Sequence, residues 1–141
     1  MSQSILAPAA VLVLWSLVML FWVAATRIPA LRRANIDIGN AVGGRGQDLD
    51  AVLPPQVNWK AHNYAHLMEQ PTIFYATVLI LAVAGAHTEF NIALAWAYVV
   101  LRIIHSLVQA TINRVAIRFP LFLLGTLVLL ILAINAARAT F

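Results

Sequence analysis

WKAHNYAHLMEQPTIF, residues 59–74, is a polar entry to a hydrophobic segment, and its reading decides the fold. His62, His66, Glu69 and Pro71 stand where a membrane helix should be turning apolar, in a chain that is 62% hydrophobic and 10% charged. At 141 residues the length suits one domain, residues 1–141. The charged fraction is less than half that of an average soluble protein, and apolar stretches of nearly bilayer-crossing length recur. Backbone polar groups in lipid must be satisfied within the segment, so the expectation is an all-α, integral membrane four-helix bundle.

Working outward, Ile5 to Thr26 is apolar almost throughout and reads as the first transmembrane helix (about 5–26), with Pro8 tolerated in its first turn. Val23-Ala24-Ala25 resembles a signal-peptidase site, but the run is too long and has no basic n-region, so it reads as a retained anchor. Residues 27–57 read as a loop: arginines and aspartates appear together, Gly43-Gly44-Arg45-Gly46 makes a flexible turn, and Pro54-Pro55 closes it. The glycine-rich run matches neither nucleotide-binding pattern and follows no strand. Helix two is expected over about 58–86, capped by Asn58 and kinked at Pro71, whose missing donor would have bonded back to Leu67. Helices three and four follow at about 91–113 and 120–137, separated by a basic turn with Arg114 and Arg118.

The net charge of +4 does not imply nucleic acid, because the nine basic residues punctuate hydrophobic segments and no nucleic-acid module is present. The chain has no cysteine, which excludes disulfides, thiolate metal sites and a cysteine nucleophile. Seven basic residues fall on the side shared by residues 27–57 and the turn after helix three. The positive-inside rule then makes those connections cytoplasmic and places both termini outside.

Two polar stripes are candidates for chemistry. His62, His66 and Glu69 are spaced i, i+4, i+7, and Arg102, His105, Gln109 and Asn113 fall at 0, 3, 7 and 11, so each set shares a helix face. Counted from the outer turn, Glu69 lies roughly 24 Å deep, His105 roughly 21 Å and Arg102 roughly 17 Å. An unpaired mid-helix arginine costs about 3 kcal/mol, so Glu69 is expected to pair with Arg102, His105 or both, within one chain or between chains.

The polar entry with Asn63, Tyr64, Leu67, Glu69, Pro71 and Phe74, followed by Arg102-Ile-Ile-His105 and then Asn113 with Arg118-Phe-Pro-Leu-Phe, resembles bacterial members of the MAPEG family, the membrane-associated proteins of eicosanoid and glutathione metabolism. The resemblance implies a homotrimer in the bacterial inner membrane, with periplasmic termini and glutathione bound as co-substrate between subunits near the cytoplasmic face. It further implies transferase or peroxidase chemistry on a lipophilic substrate arriving from the bilayer. On this resemblance Arg118 is the catalytic cation that stabilises the thiolate, with Arg114 the alternative. Lys60, His62, His66, Glu69, Arg102, His105 and Asn113 complete the glutathione-binding set. The chain departs from the glutathione-using pattern at three places: His62 stands where relatives carry arginine, His66 where they carry asparagine, and Gln109 in the region of a tyrosine. A neutral imidazole lacks the bidentate fork with which arginine grips a carboxylate. Two further readings are a non-catalytic membrane protein of the same fold that binds lipid or protein, and a metal site built from His62, His66, Glu69 and His105, since imidazole and carboxylate suit zinc or iron.

Overall fold

A computed structural model describes residues 4–141, and about 80% of the chain is helical, with no strand among the described residues. Helix α1 spans Leu6–Arg33, a 3-10 turn spans Gly46–Ala51, and α2 (Pro55–Leu67), α3 (Gln70–Val83), α4 (Glu89–Thr111) and α5 (Val115–Thr140) follow. With α2 and α3 taken as one broken span, four segments among the described residues are long and apolar enough to cross a membrane.

The segment boundaries differ from expectation in ways that bear on the site. Helix α1 continues seven residues past Thr26, through Pro29, and ends with Arg32 and Arg33 in its last turn, where cations complement the helix dipole. It terminates at Asn35, in the left-handed region at φ 56°, with Ile36 N–H donating to the Leu31 carbonyl. Asn58 is no cap: α2 begins at Pro55, and the buried Asn58 amide donates to the Asp50 and Leu53 carbonyls at 3.1 and 3.2 Å, tying the preceding loop to the helix. Helix α5 starts five residues before Pro120, so Arg118 belongs to a helix rather than a turn. The basic turn shrinks to Ile112–Arg114.

The kink expected at Pro71 is a break. Leu67 is the last residue of α2, Met68 and Glu69 lie between the helices, and Pro71 occupies the first turn of α3, where its missing donor removes no bond. The other end of α3 is closed by Gly85 at φ 72°, with Ala86 N–H bonded to the Leu81 carbonyl and Gly85 N–H to that of Ala82, a Schellman arrangement. Thr88 then caps α4 by accepting from Asn91 N–H at 3.2 Å.

Helix α4 is the hub. It packs on α1, α2 and α5, and its buried face carries Ala95, Tyr98, Val99, Arg102, His105, Ser106, Gln109 and Ala110. Phe74 stacks on Tyr98 with ring centroids 4.4 Å apart, beside Leu12, Met19, Leu67, Val78, Leu81 and Leu132. Lipid tails are as apolar as leucine, so burial from water cannot hold these helices together once inserted; packing and interhelical hydrogen bonds must. Four such bonds are present among the described residues. Buried Asn63 of α2 donates to Ser106 of α4. Tyr98 of α4 donates to Gln70 of α3, which donates to Thr126 of α5, at 3.0 and 2.9 Å. Asn135 of α5 donates to Asn91 of α4 at 2.8 Å. The outward faces of α1 and α5, including Val13, Leu14, Val18, Phe21, Leu123, Leu127, Leu130 and Ile134, are apolar and exposed, as contact with lipid requires.

Candidate functional site

At the end of the bundle where α2 breaks and α5 begins, a cavity of about 350 Å³ opens between α2, α4 and α5. It is lined by His62, His66, Glu69, His105, Gln109, Val115, Arg118, Phe119 and Phe122, and its size falls in the range of small-molecule pockets. Helices α2 and α4 supply polar groups, and α5 supplies Arg118 together with apolar Val115, Phe119 and Phe122.

Three local features place the polar groups. One turn of α2 puts His62 and His66 on the same face, and the break after Leu67 leaves the Glu69 side chain exposed, where its carboxylate meets His66 Nδ1 at 3.2 Å. His62 is held from the loop side: its Nε2 lies 3.0 Å from Asp50 of the 3-10 turn. Each imidazole therefore has a carboxylate partner. The third feature is Asn113, which ends α4 in the left-handed region at φ 51°, with its N–H donating to the Val108 carbonyl. That geometry turns its side chain back towards α5, where its oxygen accepts from Arg118 Nη1 at 2.6 Å.

The cavity wall is aromatic as well as basic. The His66 ring lies 5.2 Å from that of His105 and 5.4 Å from that of Phe122. His105 Nδ1 and Gln109 Oε1 are buried without a hydrogen-bond partner among the described residues. Such atoms are costly when left unpaired, and here both belong to residues that line the cavity. Behind the wall, Arg102 is 1% exposed, and none of its three nitrogens has a partner among the described residues.

The expected pairing of Glu69 with Arg102 or His105 does not form within the chain. Among the described residues the carboxylate contacts to basic groups are His62 with Asp50 and His66 with Glu69. The reason is the break at Met68–Glu69. A continuous helix would carry Glu69 on the inward stripe, whereas the break turns it out, with 69% of its side chain exposed. Arg102 thus stands behind a cavity whose own lining carries one cation, Arg118, and one carboxylate, Glu69.

Of the residues singled out from the sequence, His62, His66, Glu69, His105 and Arg118 meet in the cavity, and Asn113 reaches it through Arg118. Three do not line it. Lys60 bonds the Gln56 carbonyl and lies over the Trp22 ring, 5.6 Å from its centroid. Arg102 is buried behind the wall, and Arg114 is the exposed residue preceding α5. Val115, Phe119 and Phe122 were not foreseen, because they become cavity residues only when α5 begins at Val115. Among the described residues no group of three or more His, Cys, Asp or Glu side chains is assembled to hold a metal ion.

Four apolar spans around a polar hub, with a cationic and aromatic cavity at one end, define a polytopic helical membrane protein with a ligand-sized site open beside lipid-facing residues. The chain matches the model of the MAPEG family over residues 5–138 and belongs to that family. Neither the curated proteins nor the solved structures yield a match to it.

Proposed function

We propose that this protein is a glutathione-dependent transferase or peroxidase acting on lipophilic substrates within the membrane. The observation that carries the reading is the cavity in which Arg118, fixed by Asn113, shares a surface with two carboxylate-paired histidines and with Phe119 and Phe122. Glutathione has two carboxylates and an ammonium group. His62 is the group that would receive a carboxylate and Glu69 the ammonium group, which leaves Arg118 for the sulfur. A guanidinium beside the sulfur stabilises the thiolate, the reactive form of a thiol, and so raises the fraction available for attack. The exposed Phe119 gives an apolar substrate a route from the bilayer. In this reading the protein is a homotrimer whose neighbouring subunits complete the site, and the loop of residues 34–54 and the turn before α5 face the cytoplasm, with both termini on the opposite side.

The test is titration of the detergent-purified oligomer with glutathione, alongside Arg118→Ala. The expected result is saturable binding, with thiolate ultraviolet absorbance that the variant loses. Turnover of a reactive electrophile should fall about 100-fold, the scale on which a single charge-stabilising donor acts. No binding by folded protein overturns the reading.

A second reading has its own observation. Another cavity of about 350 Å³ lies between α1, the 3-10 turn and α2, where apolar Leu20, Val23 and Tyr64 adjoin Arg27. The buried Arg27 Nε lacks a partner among the described residues. A non-catalytic protein of this fold would hold an anionic lipid there, and co-purification of lipid lost in Arg27→Gln, without glutathione binding, would establish it.

A further inference from the structure

We infer that His66, oriented by Glu69, is a proton-transfer residue of this site, which suits the protein to substrates whose leaving oxygen must be protonated, such as lipid hydroperoxides. This rests on the glutathione reading above. Three imidazoles line the cavity, but they are not equivalent. His105 is only 2% exposed and has no carboxylate partner, and His62 is held through Nε2 by Asp50 on the loop side. His66 has all three requirements: it faces the cavity that holds Arg118, its Nδ1 is engaged by Glu69 at 3.2 Å, and its Nε2 is left free. A carboxylate on one ring nitrogen fixes the tautomer and stabilises the imidazolium, so the other nitrogen can accept and return a proton.

The step balances. His66 Nε2 takes the thiol proton while Arg118 holds the sulfur as thiolate. As the sulfur bonds to the terminal peroxide oxygen the O–O bond breaks, and His66 delivers its proton to the alkoxide released, giving the alcohol. A second thiol then completes the sum: two thiols and a hydroperoxide become a disulfide, an alcohol and water. Conjugation to a haloarene expels a halide, which needs no proton, so it depends on Arg118 far more than on His66. The groups bearing on the His66 titration are Glu69 and His62 from its own span, His105 and Arg102 from α4 and Arg118 from α5.

The experiment compares wild type, His66→Asn, Glu69→Gln and Glu69→Asp in three measurements: glutathione binding with thiolate absorbance, cumene hydroperoxide reduction, and conjugation of a chlorodinitrobenzene. For His66→Asn the expected result, at saturating glutathione, is a ratio of reduction to conjugation lowered about 30-fold, within the usual contribution of a positioned acid or base. Glu69 acts as a positioning residue, and Glu69→Gln should lower the same ratio, with Glu69→Asp restoring part of it. Equal losses in both reactions, or hydroperoxide reduction unchanged, overturn the role of His66. A wild type that binds no glutathione overturns instead the reading on which it rests.

Discussion

Asn113 serves the site through its backbone and its side chain at once. The left-handed backbone ends α4, and the side chain that this backbone turns outward holds Arg118. Asn113→Gly keeps the backbone conformation and removes the clamp, so glutathione affinity is expected to fall about tenfold, the loss of one hydrogen bond to a charged group. Asn113→Ala should bind equally weakly and also lose roughly 1 kcal/mol of stability to left-handed strain, visible as a lower midpoint of thermal unfolding in detergent. Arg102 presents the opposite balance, a buried charge with no partner among the described residues. Arg102→Met removes the unpaired charge, so stability is expected to hold or rise while glutathione affinity falls roughly fivefold, equivalent to about 1 kcal/mol. A loss of stability would mean that a group outside this chain pairs the guanidinium. Both residues stood out in the sequence as polar groups in an apolar helix. Neither its contact nor its lack of one could be read there, because both depend on where the neighbouring helix begins or breaks.

Among the elements, the break between α2 and α3 has the largest effect on the site. It lets Pro71 sit in a first turn and swings Glu69 from the bundle interior to the cavity mouth, where it meets His66. Pro71→Ala restores the donor towards Leu67, so the two helices are expected to join. Circular dichroism should show added helicity, while glutathione affinity falls roughly tenfold as His66 and Glu69 leave their positions. The proline was legible in the sequence, and so was its consequence in kind. The direction in which Glu69 turns was not, because a local rule gives the missing bond and only packing against α4 and α5 gives the exit angle. Helix α5 carries the same lesson: Pro120 suggested a start, yet the helix accommodates it five residues in, which gives Phe119 and Phe122 their places on the cavity wall.

For the molecule as a whole, the 28 residues of α1 extend about 42 Å, more than a hydrocarbon core of about 30 Å, so Arg32 and Arg33 clear the core at one end. The absence of cysteine makes the topology directly testable. With single cysteines at Val42, Val115 and His87, an impermeant thiol reagent should label the first two from the same side of the membrane and His87 from the other. Labelling of all three from one side would contradict four spans. Stability depends on the Tyr98–Gln70–Thr126 chain, which ties α3, α4 and α5 together. Tyr98→Phe leaves the Gln70 oxygen unpaired and should cost about 1 kcal/mol in thermal or denaturant unfolding, with little effect on glutathione binding.

What WKAHNYAHLMEQPTIF and its surroundings determined alone was the class: long apolar runs force helices in lipid, arginines mark their ends, and the two polar stripes mark the faces that cannot meet lipid. Those inferences need only local composition and helical periodicity. What the tertiary structure decided was which polar groups face one another. Periodicity put Glu69 opposite Arg102, and the structure put it on His66, because a two-residue break rotates everything beyond it. Lys60 and Arg114 had the right charge at the right end, but their helix faces carried them elsewhere. Sequence fixes a residue's depth through rise per residue; its azimuth accumulates every break, cap and packing contact before it, and the site is made of azimuths.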